Sequence, residues 1–159
     1  MAERAPKSVP EGMYTITPCL FFSGDCGAAI AFYQKVFGAE PVSPPIPWPD
    51  GKGVMHVMLK TGDSQFMMND VPPESWEHGP TESASAGMFL YVEDCDAVYN
   101  KAVENGCKVM VPLDDAFWGD RFGKVIDPFG HTWAIATWQW IYTPEEMGQK
   151  QREMMKKEG

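Results

Sequence analysis

The chain carries the same short unit twice, and that repetition restricts its fold more than any other feature. The first copy runs from an apolar stretch, Tyr14 to Phe22, through Gly24-Asp25-Cys26 into a helix-patterned segment with Ala29, Ile30, Phe32 and Tyr33, and closes on Gly38. The second runs from Met88 to Val92, through Glu93-Asp94-Cys95-Asp96, into a helix with Val98, Ala102 and Val103, and closes on Gly106. About a dozen residues separate the aspartate from the closing glycine in both, near the mean length of a globular helix. Strand-patterned stretches follow each helix. The expected class is therefore α+β, with two tandem βαβββ modules and a separate helix at the C-terminus.

The local pattern supports this order. Residues 1–12 are polar and proline-bearing and read as a flexible arm. In the first helix Ile30, Tyr33 and Phe37 recur at three- and four-residue spacing, so they share a buried stripe. The proline-rich stretch Glu40 to Gly51 suits a short strand and a stiff loop carrying Trp48. Val54 to Lys60 and Gln65 to Asn69 alternate with period two around Thr61-Gly62-Asp63-Ser64, the pattern of a hairpin. Module one is placed at 13–70, a linker rich in Pro, Gly and Ser at 71–86, and module two at 87–140, the two modules making one domain. In the final segment, 141–159, Thr143-Pro144-Glu145-Glu146 is a capping box with proline at the first helical position.

Composition excludes several function classes. No apolar run approaches the ~18 residues that a membrane span needs, and the first residues lack the apolar stretch of a secretory signal, so a cytoplasmic protein is expected. The net charge of -9 repels polyanions, which argues against nucleic acid as a partner. The 4 cysteines include no Cys-x-x-Cys pair. Cys26 and Cys95 each begin a helix, where a thiol pKa falls and reactivity rises. The preferred reading is that both are small packing residues at matching positions.

Three sets of residues carry a family resemblance: the helix end Phe32 to Gly38, of the form Phe-Tyr-x-x-x-Phe-Gly; the turn Asp127-Pro128-Phe129-Gly130-His131 with Trp133; and the two βαβββ units themselves. Together they resemble the vicinal oxygen chelate superfamily of glyoxalase and bleomycin-resistance proteins. Gly62 to Ser64, Trp118 to Arg121 and Thr143 to Met147 are similar to the marks of its PhnB-like subgroup. The resemblance implies curved mixed sheets that form cups, a homodimer, and, in many members, a divalent metal held by His and Glu side chains from the first and last strands of both modules. Carried over by spacing from the aspartate before each helix and from the Asp127 turn, those ligand positions become Pro18, Met67, Gly87 and Ala134. None of these binds a hard or borderline cation; a one-residue slip adds only Cys19 as a ligand. No metal and no other cofactor is therefore expected.

Around the same positions alternation collects Ile16, Leu20, Phe22, Phe89, Tyr91, Thr132, Ala136 and Trp138, an apolar and aromatic lining of the kind small-molecule sites use. A cup filled by its own side chains is the alternative. His56 could serve as donor or base, or be an ordinary strand histidine. His131 suits the fixing of its turn and His78 lies in the linker. In Trp118-Gly119-Asp120-Arg121 an aromatic ring and a guanidinium suit a rim that stacks on a flat ligand and anchors its anionic group, or else a loop corner held by local bonds. The expected function is metal-free binding of a small aromatic or amphipathic molecule by Phe22, His56, Met67, Phe89, Tyr91, Trp118, Arg121 and Ala134. The alternative is a lyase, isomerase or dioxygenase that uses His56 with Arg121, or an unrecognised metal site such as Cys19 with His56.

Overall fold

The alternation and the helical stripe resolve into two sheets, each with one helix packed on it. The computed structural model describes residues 2–157 and divides between Pro80 and Thr81 into two units. The first unit contains β1 (Cys19–Phe22), α1 (Cys26–Phe37), β2 (Glu40–Pro41), β3 (Ile46–Pro47), β4 (Val54–Thr61) and β5 (Ser64–Asp70). Its sheet order is β1-β5-β4-β2, with β3 also on β4; β1 runs parallel to β5 and the other pairs are antiparallel. The second unit contains β6 (Gly87–Tyr91), α2 (Cys95–Glu104), β7 (Lys108–Asp115), β8 (Asp120–Ile126), β9 (Thr132–Trp138) and α3 (Pro144–Lys157). Its order is β6-β9-β8-β7, again with one parallel pair, β6 and β9. The two mixed sheets share one topology, so the α+β repeat is structural as well as sequential.

In the first unit the stripe Ile30, Tyr33 and Phe37 is buried on the sheet face formed by Val57, Leu59, Phe66 and Met68. Tyr33 stacks on Phe37 with ring centroids 5.7 Å apart and meets Phe66 edge-on at 6.3 Å. Burial of each such side chain stabilises by roughly 1.5–3 kcal/mol. The start of α1 is tied to the sheet by Asp70, whose Oδ1 accepts from the backbone N–H of Gly24 (2.8 Å) and Cys26 (3.0 Å) while Oδ2 accepts from Val54 (2.8 Å). In the second unit Thr137 does a related job: its Oγ1 accepts from Cys95 N–H and donates to the Val92 carbonyl.

The capping box forms reciprocally, Thr143 N–H to Glu146 Oε2 at 2.8 Å and Glu146 N–H to Thr143 Oγ1 at 3.2 Å. Some boundaries differ from those read in the sequence. β1 starts at Cys19, because Pro18 has no N–H for the ladder; its carbonyl still accepts from Met67. β7 runs on to Asp115 through two register shifts, and β8 starts at Asp120, so only 116–119 remain as a tight corner between them. Among the described residues no helix is long and apolar enough to cross a membrane.

Candidate functional site

Pairing register sorts the second sheet into two faces. Arg121 lies beside Thr137, Gly123 beside Ile135 and Leu90, and Val125 beside Trp133 and Met88. This face is covered by α2, whose Tyr99 ring comes so close to Gly123 that a Cβ there would lie 2.5 Å from it. The opposite face carries Asp120 beside Trp138, Phe122 beside Ala136 and Tyr91, and Lys124 beside Ala134 and Phe89. Its aromatic side chains make a continuous set. Trp118 sits 4.9 Å from Phe122, Phe122 stacks on Phe89 at 6.4 Å and 11°, and Phe89 meets Tyr91 at 5.1 Å.

At the strand ends, where this face meets the other, lies an open groove of about 860 Å³ lined by Tyr91, Val92, Glu93, Trp118, Asp120, Thr137 and Trp138. Asp120 is 3% exposed, yet Tyr91 and Trp138 are 59% and 63% exposed, so the rings present bare faces beside a sheltered carboxylate. Asp120 Oδ2 accepts from the Tyr91 hydroxyl at 2.9 Å and from Trp118 Nε1 at 2.8 Å. Burial first, and then the hydrogen bond and charge of Asp120, hold the Tyr91 phenol above its ordinary pKa, so it stays a donor. The corner that presents Trp118 and Asp120 depends on Gly119. Its φ is 107°, its carbonyl accepts from Gln139 and Trp140, and a side chain there would collide with the Trp140 carbonyl.

Phe89, Tyr91 and Ala134 thus share one face, as alternation predicts, and Trp118 from the corner joins them through Phe122. Arg121 does not join them. Adjacent strand residues point to opposite faces, and its guanidinium turns toward α2, bonding Asp96 at 2.7 and 2.8 Å and Asp115 at 3.2 Å. Its guanidinium is engaged in a cross-element ion pair with Asp96 and a second pair with Asp115 across the β7–β8 corner, on the face away from the aromatic set. The hydrogen bond from Arg121 holds the Asp96 carboxyl below its ordinary range. Asp120, part of the rim motif but outside the expected binding set, enters the groove, and so does Glu93; the signal available for Asp120 was its alternation with Arg121 along β8.

Phe22 is a second correction. It is 1% exposed, 6.4 Å from Tyr33 of α1, and pairs with Asp70 on the helix-covered face of the first sheet. The face away from α1 carries Cys19 and Phe21 beside Met67 and Asn69, with Met58 paired to Met67. His56, half-buried two residues before Met58, follows the same alternation and pairs with Ile46. Phe22 was misplaced because three residues separate it from Cys26, whereas two separate Val92 from Cys95. Gly24, at φ 105°, takes up the extra residue, so counting back from the aspartate shifts the face by one.

Cation-binding capacity follows from the same register. Cys19, in place of Pro18, stands across from Met67, while Gly87 pairs with Thr132 and Ala134 with Phe89. A thiol, a thioether, a hydrogen and a methyl do not fit the His and Glu donor set that the resemblance implies. Among the described residues no three His, Cys, Asp or Glu side chains are grouped to hold a metal. The helix-starting thiols are packing residues. Cys26 is buried and pushed up to about 12 by desolvation and then by Asp70 and Asp25, and Cys95 donates from Sγ to the Arg121 carbonyl. The Asp127 carboxylate holds its turn through the N–H groups of Phe129 and His131 and through Trp133 Nε1. His78 Nδ1 contacts the Gly79 carbonyl at 2.8 Å.

Comparison with known proteins agrees with this architecture. An uncharacterised Mycobacterium bovis protein is 37% identical over 116 residues, covering 70% of this chain and 75% of that one. The crystal structure of PA1353 from Pseudomonas aeruginosa superposes with a TM-score of 0.63 at 28% identity, covering 80% of this chain and 99% of that one. A Bacillus cereus protein described as a putative 3-demethylubiquinone-9 3-methyltransferase, PhnB protein, shares the fold with a TM-score of 0.62 at 22% identity, over 78% of this chain and 99% of that one. Residues 15–135 match the family model itself, and the chain belongs to the Glyoxalase/Bleomycin resistance protein/Dioxygenase superfamily.

Proposed function

We propose that this protein binds a small aromatic or amphipathic molecule, without a metal, in the groove of its second unit, and that it sequesters or senses that molecule. The observation that carries the reading is the arrangement of Tyr91, Trp118 and Trp138 around a cavity of about 860 Å³ into which a single sheltered carboxylate, Asp120, presents itself. Bare ring faces supply stacking area, and a few fixed polar groups supply orientation, the usual division of labour in a small-molecule site. Phe89 extends the aromatic wall beside the methyl group of Ala134, and His56 and Met67 give the first unit a half-buried, partly apolar face. The enzyme reading through His56 and Arg121 is not adopted, because the guanidinium is committed to Asp96 and Asp115.

The donor-poor positions Cys19, Met67, Gly87 and Ala134 support a metal-free site. The motifs at Gly62 to Ser64, Trp118 to Arg121 and Thr143 to Met147, with the fold shared with the Bacillus cereus protein, support the PhnB-like subgroup. A cytoplasmic homodimer completes the proposal, since open strand edges favour pairing. The test is titration with a library of aromatic compounds, following Trp emission. Saturable responses that Trp118→Ala abolishes are expected. No saturable response across the library overturns the reading.

A further inference from the structure

We infer that the ligand of this groove is an organic cation, an ammonium group carried on an aromatic or apolar body. The inference rests on the groove being a small-molecule site and adds the sign of the ligand's charge. The charged side chains lining the cavity are Asp120 and Glu93, and no Lys, Arg or His lines it. Arg121, next to Asp120 in sequence, is on the other face and paired with Asp96 and Asp115. Lys124 shares the aromatic face but stands beside Ala134 and lines a different cavity with Met110 and Thr132. An anion entering the groove therefore meets a sheltered carboxylate with no compensating charge.

The rings reinforce this preference. The faces of Trp and Tyr carry the negative end of the ring quadrupole and attract ammonium groups, most strongly where water is displaced. Tyr91 and Trp118 both donate to Asp120 Oδ2. Donation to a carboxylate makes each ring more electron-rich, and with both bonds on Oδ2 the other oxygen is left to accept from an ammonium N–H. The whole chain carries a net charge of -9, which draws cations toward it at low ionic strength.

The test uses three probes that share one ring: benzylammonium, benzyl alcohol and benzoate, titrated against the full chain by Trp emission at low and high salt. Benzylammonium is expected to bind at least about tenfold tighter than benzyl alcohol at low salt, with benzoate weakest and the advantage shrinking as salt is added. Asp120→Asn is expected to weaken benzylammonium by roughly tenfold and leave benzyl alcohol within about twofold. Glu93→Gln, at an exposed position, weakens the cation alone by about twofold. Equal or tighter binding of benzyl alcohol or benzoate overturns the cation assignment and leaves the groove as a binding site. Failure of all three probes to saturate overturns both.

Discussion

Replacing Asp70 by Ala tests the packing logic of the first unit. The carboxylate is 4% exposed and takes three backbone N–H groups from the β1–α1 turn, the start of α1 and the start of β4. A methyl group leaves all three donors without an acceptor, each costing about 1–3 kcal/mol where water cannot replace the bond. The cavity that Asp70 borders with Trp48, Lys52 and Pro72 admits some water, which trims the sum. The expected loss is about 3–5 kcal/mol, and with an m-value of roughly 2 kcal/mol/M the urea midpoint of the first unit falls by about 2 M. Asp70→Asn keeps one acceptor but turns an amide N–H toward a donor, so its loss is roughly half as large. Asp50→Ala, which removes an exposed bond to Lys52 N–H, is the control and stays within about 0.5 kcal/mol. A midpoint shift below about 0.5 M for Asp70→Ala refutes the claim that this carboxylate clamps the unit.

Gly119→Ala places a side chain against the Trp140 carbonyl in a left-handed backbone, so it costs roughly 1–3 kcal/mol in thermal unfolding and weakens probe binding at Trp118. Burial of Cys26, with its thiol pushed up to about 12, keeps it unmodified by iodoacetamide in the native protein at neutral pH; peptide mass spectrometry should show exposed Cys19 labelled first. Because Arg121 lowers the folded-state pKa of Asp96, their pair stabilises the protein above the unfolded carboxyl pKa, and that contribution disappears as pH falls through the folded value. Arg121→Gln should therefore lower the urea midpoint at neutral pH and match the parent in strong acid. Elemental analysis after dialysis should find far less than one equivalent of transition metal, and sedimentation equilibrium should give twice the 17.8 kDa chain mass.

What the sequence revealed depended on how local each signal was. The repeat, the stripe of Ile30, Tyr33 and Phe37, the hairpin alternation and the Thr143 capping box need only neighbouring residues, and the structure contains them all. Face assignment travelled well along β6, where Phe89 and Tyr91 lie where alternation puts them. It failed in β1, because Gly24 adds one residue whose left-handed backbone leaves no trace in a hydrophobic pattern. Arg121 misled for a different reason. Trp118, Asp120 and Arg121 lie within four residues of sequence, but the strand begins at Asp120, and the partner that claims the guanidinium, Asp96, stands 25 residues away on α2.

The most direct test of the groove is a two-dimensional NMR titration of the tryptophan indole N–H signals with benzylammonium. Saturable shifts are expected for Trp118 and Trp138, with the indoles of Trp48 and Trp76 in the first unit unmoved. Shifts confined to Trp48 or Trp76, or no shifts at Trp118 and Trp138 at saturating probe, contradict it.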